Sequence, residues 1–395
     1  MTIPISQRQI LRRDKWLFSC LTWLPVLLAV TIWGVFSIGI ARDLPIGMVD
    51  LQHSQLSRKM MQTLDASPTL SINFQYNSAL EAKTAMIEGD IYAYVVLPHN
   101  LDQDILQHRQ PQISVFFNSQ YILVAKLISS AVEQSFGYFD AQLEAMSNLA
   151  KGNTTMLAAL DQAVPISTQI TALFNQNTNY AQFLVTAIVP AIWQIGIVVS
   201  TILILTAHFR IYGNKANRFA FLGEKPIQQL AKILSQYIPV FMLQSALFLY
   251  WFYVLLDWPM EGSFTVMLIA QFVTIIACII MGALFFFLPM DPARAMSFAG
   301  AFTAPSFAFM GITFPVSDMN ALAQAWRGLL PITYYIEVQI DQANYGASAA
   351  QSLSSMWPMI GYTIPLMLTV VLVLKHRDAA IKDSMASNND PQEAA

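Results

Sequence analysis

The chain has 395 residues, 55% of them hydrophobic and 11% charged, with a formal net charge of −3 at pH 7 and a mean hydropathy of +0.48. Soluble domains carry about 25% charged residues, and nucleic-acid binders need a basic face. The composition therefore argues against a soluble enzyme, a disordered chain and a DNA- or RNA-binding protein.

Residues 1–15 read as a cytoplasmic, amphipathic N-terminal segment carrying Arg8, Arg12, Arg13 and Lys15. Residues 16–40 form an uncharged apolar run, long enough to cross a hydrocarbon core of about 30 Å. It exceeds the apolar core of a secretory signal, about 7–15 residues, and is predicted to be an uncleaved first span. Cys20 lies here and Cys278 in a later apolar run. Two isolated cysteines give no disulfide framework and no Cys-based zinc site.

Between residues 41 and 179 the sequence turns polar. Residues 46–51, 70–76, 91–97 and 113–117 are rich in β-branched and aromatic side chains and read as strands. Residues 54–64, 78–88 and 100–107 read as intervening helices, the first two N-capped by Ser54 and Ser78. The alternation predicts a mixed α/β domain over 41–118. From Ile122 to Met146, and again from Met156 to Leu173, apolar residues recur at alternating spacings of three and four, separated by Lys151-Gly152-Asn153. That period predicts a helical hairpin over 119–179.

Five further apolar runs follow, at 180–207, 233–256, 264–288, 296–314 and 356–374. The expected fold is an α-helical integral membrane protein. It has six spans in a one-plus-five arrangement, with the α/β domain and hairpin inserted after the first. Orientation follows the Lys/Arg asymmetry of short loops. Arg210, Lys215, Arg218, Lys225, Lys232, Arg294, Lys375, Arg377 and Lys382 fall on the same side as the N-terminus, whereas the opposite short loops carry only Arg327. Both termini, including the tail 375–395, are predicted cytoplasmic, and the inserted domain extracytoplasmic.

Motifs for chemistry are missing. The sequence has no G-x-x-x-x-G-K-[ST] phosphate loop, no H-E-x-x-H and no G-x-S-x-G. Its five histidines are scattered. No catalytic residue, metal site or bound cofactor is expected. The spans contain no interior Asp, Glu, Lys, Arg or His, which disfavours an ion-coupled secondary transporter. Gln194, Gln244 and Gln271 are their notable polar residues. They are candidates either for interhelical hydrogen bonds or for lining a path.

The loop 208–232 is basic and amphipathic. It suits either a headgroup-facing interfacial element or a docking element for a cytoplasmic partner. In the docking reading Phe219, Phe221 and Leu222 supply apolar anchors. Arg218, Glu224 and Lys225 supply rim charges, with Arg210, Pro226 and Lys232 completing the element. After the run 296–314, the segment 315–355 is too polar to span. It is expected to form short helices at or within the outer face, broken at Gly311, Pro315 and Pro331.

At these residues the chain resembles the permease subunits of ABC-2 exporters. The stretch GITFPVSDMNALAQAWRGLLPITYYIEV carries Gly311, Phe314, Pro315, Met319, Leu330-Pro331 and Tyr334-Tyr335 at matching places. The segments GMVDLQHSQLSRKMMQTLDASPTL, IEGDIYAYVVLPHNLDQDI and ISVFFNSQYILVAKLI add to it. One departure is clear: where the family commonly has an acidic Glu-x-Glu-x-Gly-Thr type stretch, residues 213–221 are basic and aromatic.

The resemblance implies a bacterial inner-membrane exporter subunit. Its ATP and magnesium would be bound by a separate cytoplasmic ABC ATPase. It would pair with a second permease, either a copy of itself or a relative, and could engage a periplasmic adaptor protein. It also implies a coupling role for the 208–232 loop and an outer-gate role for Gly311, Phe314, Pro315, Pro331, Tyr334 and Tyr335. The competing reading is a membrane-anchored envelope scaffold without transport activity.

Overall fold

Long runs of Leu, Ile, Val, Ala and Phe set the helical part of the chain, and the polar insertion sets a small sheet. A computed structural model describes residues 7–37, 39, 41–107, 109, 111–150, 179–211 and 219–389. The chain divides into two compact units, Met1–Gly39 with Ala172–Ala395, and Ile40–Thr171.

The first unit opens with helices α1 (Gln7–Arg13), α2 (Lys15–Leu21) and α3 (Trp23–Phe36). Asp14 caps α2 by accepting the Leu17 amide at 3.0 Å. Helices α2 and α3 together are apolar enough to cross a membrane but meet at a bend of 51°.

In the second unit, strands β1 (Leu44–Asp50), β2 (Leu70–Gln75), β3 (Ala93–Leu97) and β4 (Ser114–Phe117) alternate with helices α4 (Gln55–Asp65), α5 (Ala79–Glu88) and α6 (Leu101–Leu106). The sheet order is β2-β1-β3-β4. β1 is parallel to both neighbours, and β4 closes the edge antiparallel to β3. β1 is covered on both faces, which explains its near-continuous apolar run.

Ile46, Met48, Val95 and Leu97 pack under Met60 and Leu64. Ile128, Val132 and Phe139 of α7 (Ile122–Ala150) join the same core. This long helix, the first arm of the expected hairpin, therefore lies against the α/β core. The second arm, 151–178, lies outside the described residues.

Ser54 and Ser78 cap α4 and α5 by accepting the Ser57 and Glu81 amides. Asp50 ends β1 in a knot of its own. Its carboxylate accepts the amides of Gln52 (3.0 Å) and His53 (2.9 Å) and the hydroxyl of Ser57 (2.6 Å). Burial pushes the Asp50 pKa up, but these three donors outweigh it and hold the carboxyl below its ordinary value.

The first unit resumes with α8 (Tyr180–Ile211), α9 (Pro226–Ser235), α10 (Ile238–Tyr250), α11 (Phe264–Phe287), α12 (Pro292–Thr303) and α13 (Ser306–Phe309). It ends with α14 (Ala321–Gly328), α15 (Pro331–Ile340), α16 (Ala349–Ser354) and α17 (Thr363–Asn389). Among the described residues, four helical stretches are long and apolar enough to cross a membrane: Tyr180–Ile211, Pro226–Leu255, Phe264–Phe287 and Ala349–Ala379. The bent α2–α3 pair makes a fifth. The run 296–314, expected as a further span, is instead divided between α12 and the four-residue α13 by a turn at Ala304-Pro305.

Helix α8 is the spine, with α3, α11 and α12 packed on it. Gly282 of α11 sits so close to α8 that an added Cβ would lie 2.8 Å from Thr201 Cβ and 2.9 Å from the Val198 carbonyl oxygen. Small residues at helix crossings allow this approach in membranes. The outward faces of α3 and α17 stay apolar: Trp23, Leu27 and Val35, and Ile364, Met367 and Val371, are all exposed. Water penalises such faces and hydrocarbon solvates them. The molecule is a helical, multi-pass membrane protein carrying a small sheet domain.

Candidate functional site

Three layers of the helical unit hold the residues singled out from the sequence. The first is the C-terminal end of α8 and the turn that follows the undescribed residues 212–218, among which Arg218 falls. Phe219 and Phe221 do not project. Their rings meet Phe209 of α8 at 5.4 and 5.7 Å, Phe221 also meets His208 at 5.3 Å, and Phe209 in turn meets Phe286 of α11 at 4.9 Å. Leu222 is fully buried in the same core. The anchors expected to reach a partner are thus engaged by the protein's own helices. Alternation alone did not distinguish an outward apolar face from an inward one.

Gly223, at φ +57°, turns the chain out of this core. Pro226 then starts α9, its missing N–H falling where a helix has no acceptor for it. Arg210, Glu224, Lys225 and Lys232 are exposed around the buried Pro226.

Behind this turn lies a polar chain. The Tyr237 hydroxyl donates to Gln7 Oε1 at 2.9 Å, and Gln7 Nε2 donates to His208 Nε2 at 3.2 Å. His208 Nδ1 faces the Ile204 carbonyl oxygen at 2.8 Å. A carbonyl only accepts, so His208 carries its proton on Nδ1. The first helix is thereby tied to both sides of the loop.

In the middle layer the three glutamines are buried. Gln194 Nε2 donates to Ser306 Oγ (3.0 Å) while its Oε1 accepts the Ile332 amide (2.8 Å). Gln244 donates to the Leu21 carbonyl oxygen (2.9 Å). Gln271 donates to the Tyr335 hydroxyl (3.0 Å) and the Ser245 carbonyl oxygen (3.4 Å). Each amide binds one helix to another, which is the interhelical role.

The third layer is the broken segment after α13. Gly311 has φ +89°, and an added Cβ would lie 2.8 Å from Val316 Cγ2. Phe314 and Pro315 are exposed. Pro331 starts α15, whose Ile332, Tyr335 and Ile336 are buried among the spans. Tyr334 donates to the Gly328 carbonyl oxygen at 2.8 Å, and Tyr362 to that of Leu329 at 2.6 Å. Arg327 pairs with Glu337, fixing α14 against α15.

Sequence reasoning passed over Gln339 and Gln342, one helical turn apart. Gln339 donates to the Thr186 carbonyl oxygen (2.8 Å). Gln342 holds the Ala347 carbonyl oxygen, Ser352 Oγ and the Ser263 amide. Their signal was the three-residue spacing of two amides across the end of α15.

This arrangement, long spans with exposed apolar faces joined to a Pro-headed element and to a segment broken into short helices, agrees with the family comparison. The profile of the family described as ABC-2 family transporter protein matches residues 15–374. The chain belongs to that family. ABC-2 proteins are the membrane components of ABC transporters and work with an ABC ATPase subunit. The ABC-2 match runs from the bent first span to the last one, so it takes in both units. Curated proteins give no match to the chain. Among the described residues, no three His, Cys, Asp or Glu side chains gather as a metal-binding group.

Proposed function

We propose that this ABC-2 protein is the permease subunit of an exporter in a bacterial inner membrane, powered by a separate ATPase that binds the ATP and magnesium. In this reading both termini are cytoplasmic and the Ile40–Thr171 unit is periplasmic. An even number of crossings is then required, and α12 with α13 makes the sixth. Residues 292–309 would reach about 27 Å as a helix, close to a hydrocarbon thickness.

The observation that carries the proposal is the build of the Gly223–Lys232 element. Its charged side chains, Glu224, Lys225 and Lys232, face outward beside Arg210, while Phe219, Phe221 and Leu222 are keyed into α8 and α11. A partner pushing on the charged surface moves a rigid helix whose root lies in the core of the spans. The exposed charges set the register of docking, and the aromatic root passes the motion on. Gly311, Phe314, Pro315, Pro331, Tyr334 and Tyr335 form the outer gate at the far end. Two permeases, identical or related, would enclose the path between them, and the periplasmic unit would offer a surface to an adaptor protein.

The test is copurification of an ABC ATPase subunit from the source cell with this chain, with ATP turnover measured in the reconstituted complex. Lys225→Glu combined with Glu224→Lys is expected to weaken copurification while the permease remains folded. Single cysteines at Gln62 and Gln103 are expected to react with an impermeant thiol reagent from outside intact cells, and one at Glu224 only after lysis. Labelling at Glu224 in intact cells, or full ATPase binding by the charge-swapped variant, overturns the proposal.

A further inference from the structure

The sheet of the Ile40–Thr171 unit ends on two strands of unequal character. The β2 edge is closed. Its Ile72 amide donates to Asp65 Oδ1 at 2.9 Å, Ser71, Asn73 and Gln75 give it polar side chains, and its register against β1 breaks between Pro45 and Gly47. Polar, irregular edges of this kind resist pairing with another chain. The β4 edge, Ser114–Phe117, has no charged residue, no proline and an unbroken register against β3.

The hydrogen-bonding groups of β4 divide by alternation. Tyr94 lies opposite Phe116 and Val96 opposite Ser114, and the Asn118 amide donates to the Tyr92 carbonyl oxygen at 2.9 Å. In an antiparallel ladder every second residue bonds inward. Ser114, Phe116 and Asn118 therefore bond to β3, while the N–H and C=O groups of Val115 and Phe117 point out of the sheet.

The edge is apolar on both faces. Phe116 stacks on Tyr94 with ring centroids 4.9 Å apart, yet is 47% exposed. Phe117, on the opposite face, is 42% exposed and borders a groove of about 450 Å³ between β4 and α7. Lys126, Ser129, Ser130 and Glu133 form the α7 wall of that groove. Ser129 donates to Glu133 at 3.2 Å, whereas Lys126 makes no ion pair among the described residues.

We propose that a second copy of this chain pairs with β4 across a two-fold axis through Phe116, joining the two sheets edge to edge. The strand is complementary to itself. Antiparallel pairing centred on Phe116 sets Val115 opposite the copy's Phe117, so these two residues exchange their outward N–H and C=O groups. Phe116 meets the copy's Phe116 on the face where each lies on Tyr94, and the aromatic row continues from one sheet into the other. Aromatic pairs and aromatic–β-branched pairs are favoured cross-strand neighbours. The same axis sets the two α7 helices antiparallel. Read from its other end, the order Lys126, Ser129-Ser130, Glu133 exchanges its signs, so each lysine is brought toward the copy's glutamate with small residues between them. A strand from an unrelated protein carries none of this symmetry.

The inference deepens the paired-permease part of the proposed function, but its readout needs neither ATPase nor export. Export without edge pairing keeps the proposed function and loses this inference. Edge pairing in a chain that exports nothing does the reverse.

The test uses the full chain in its membrane, with Cys20→Ala and Cys278→Ala removing the native thiols. Directly opposed residues of this kind have Cα atoms about 4.5 Å apart, within disulfide reach of roughly 4.4–6.8 Å. Phe116→Cys is therefore expected to give a disulfide-linked dimer under mild oxidation. Ser114→Cys and Asn118→Cys, each about 14 Å from its own counterpart, should stay monomeric alone and cross-link when coexpressed. Val115→Pro deletes an outward N–H without touching the ladder to β3, and should lower the Phe116→Cys cross-link about tenfold through the hydrogen bonds lost. Lys126→Glu should also lower it, and adding Glu133→Lys in the same chain should restore it; this pair decides the matter where Val115→Pro does not fold. The proposal is overturned if Phe116→Cys stays monomeric, if it captures a different protein, if Ser114→Cys alone cross-links equally well, or if neither the proline nor the charge reversal changes the yield in folded protein.

Discussion

Gln194 on α8 caps a helix far along the chain: its Oε1 accepts the amide of Ile332, 138 residues later and at the second position of α15, at 2.8 Å. Leu330, the residue before that helix, provides no side-chain cap. An orphan N–H of the first turn is thus satisfied from a neighbouring span, and the same side chain also holds Ser306. Gln194→Leu is expected to destabilise the protein by about 1–3 kcal/mol, the cost of stranding buried partners. Thermal unfolding in detergent measures it, and hydrogen exchange should quicken first at Ile332.

Two glycines give opposite signs for one substitution. Gly282→Ala drives a Cβ into the Val198 carbonyl oxygen and Thr201, so α8 and α11 must separate. Overpacking of this kind costs about 1–3 kcal/mol. Gly300→Ala, inside α12 with nothing within 4 Å of the new methyl, should stabilise the chain by about 0.5–1 kcal/mol. The pair of melting temperatures should straddle that of the natural protein.

At the Gly223–Lys232 element, stability and coupling are expected to separate. Phe221→Ala removes a ring packed against His208 and edge-on to Phe209, so melting temperature and ATPase stimulation should fall together. Lys225→Ala leaves the core untouched and should weaken ATPase association about fivefold at most, on the order of 1 kcal/mol for an exposed charge. Equal loss of melting temperature in both variants would contradict the assignment of Phe221 to the root and Lys225 to the surface.

The Asp50 knot predicts an acid limit. Its carboxyl is held below the ordinary value, so its contribution to stability is complete above the unfolded-state pKa, about 3.9. That contribution is lost as pH falls through the lower folded-state pKa. Ser57→Ala, which removes the 2.6 Å donor, should raise the Asp50 pKa and shift this loss to higher pH. Carbon-13 NMR titration of the labelled carboxyl, or the pH dependence of exchange at the Gln52 and His53 amides, reads it directly.

Local structure in the inserted domain was legible because each signal is short in range. The four strands and the caps at Ser54 and Ser78 depend on neighbours within a few residues. The long spans were legible from hydropathy. The break within 296–314 was not: its residues are uncharged throughout, but Pro305 has no N–H to continue the ladder and stands at the head of α13. Partners in space were also hidden. Nothing near Leu222 or Phe221 indicates that they turn inward to α8, and nothing near Gln194 names Ile332.

The Tyr237–Gln7–His208 chain also constrains the order of biosynthesis. Gln7 leaves the ribosome 201 residues ahead of one partner and 230 ahead of the other. At 5–20 residues per second, the first helix waits roughly ten to fifty seconds before it has anything to bind. Its seat forms only after the sheet domain and α8 have been made. The seat of the first helix is therefore completed only once Tyr237 has been made, with the helices from Phe264 onward still to follow.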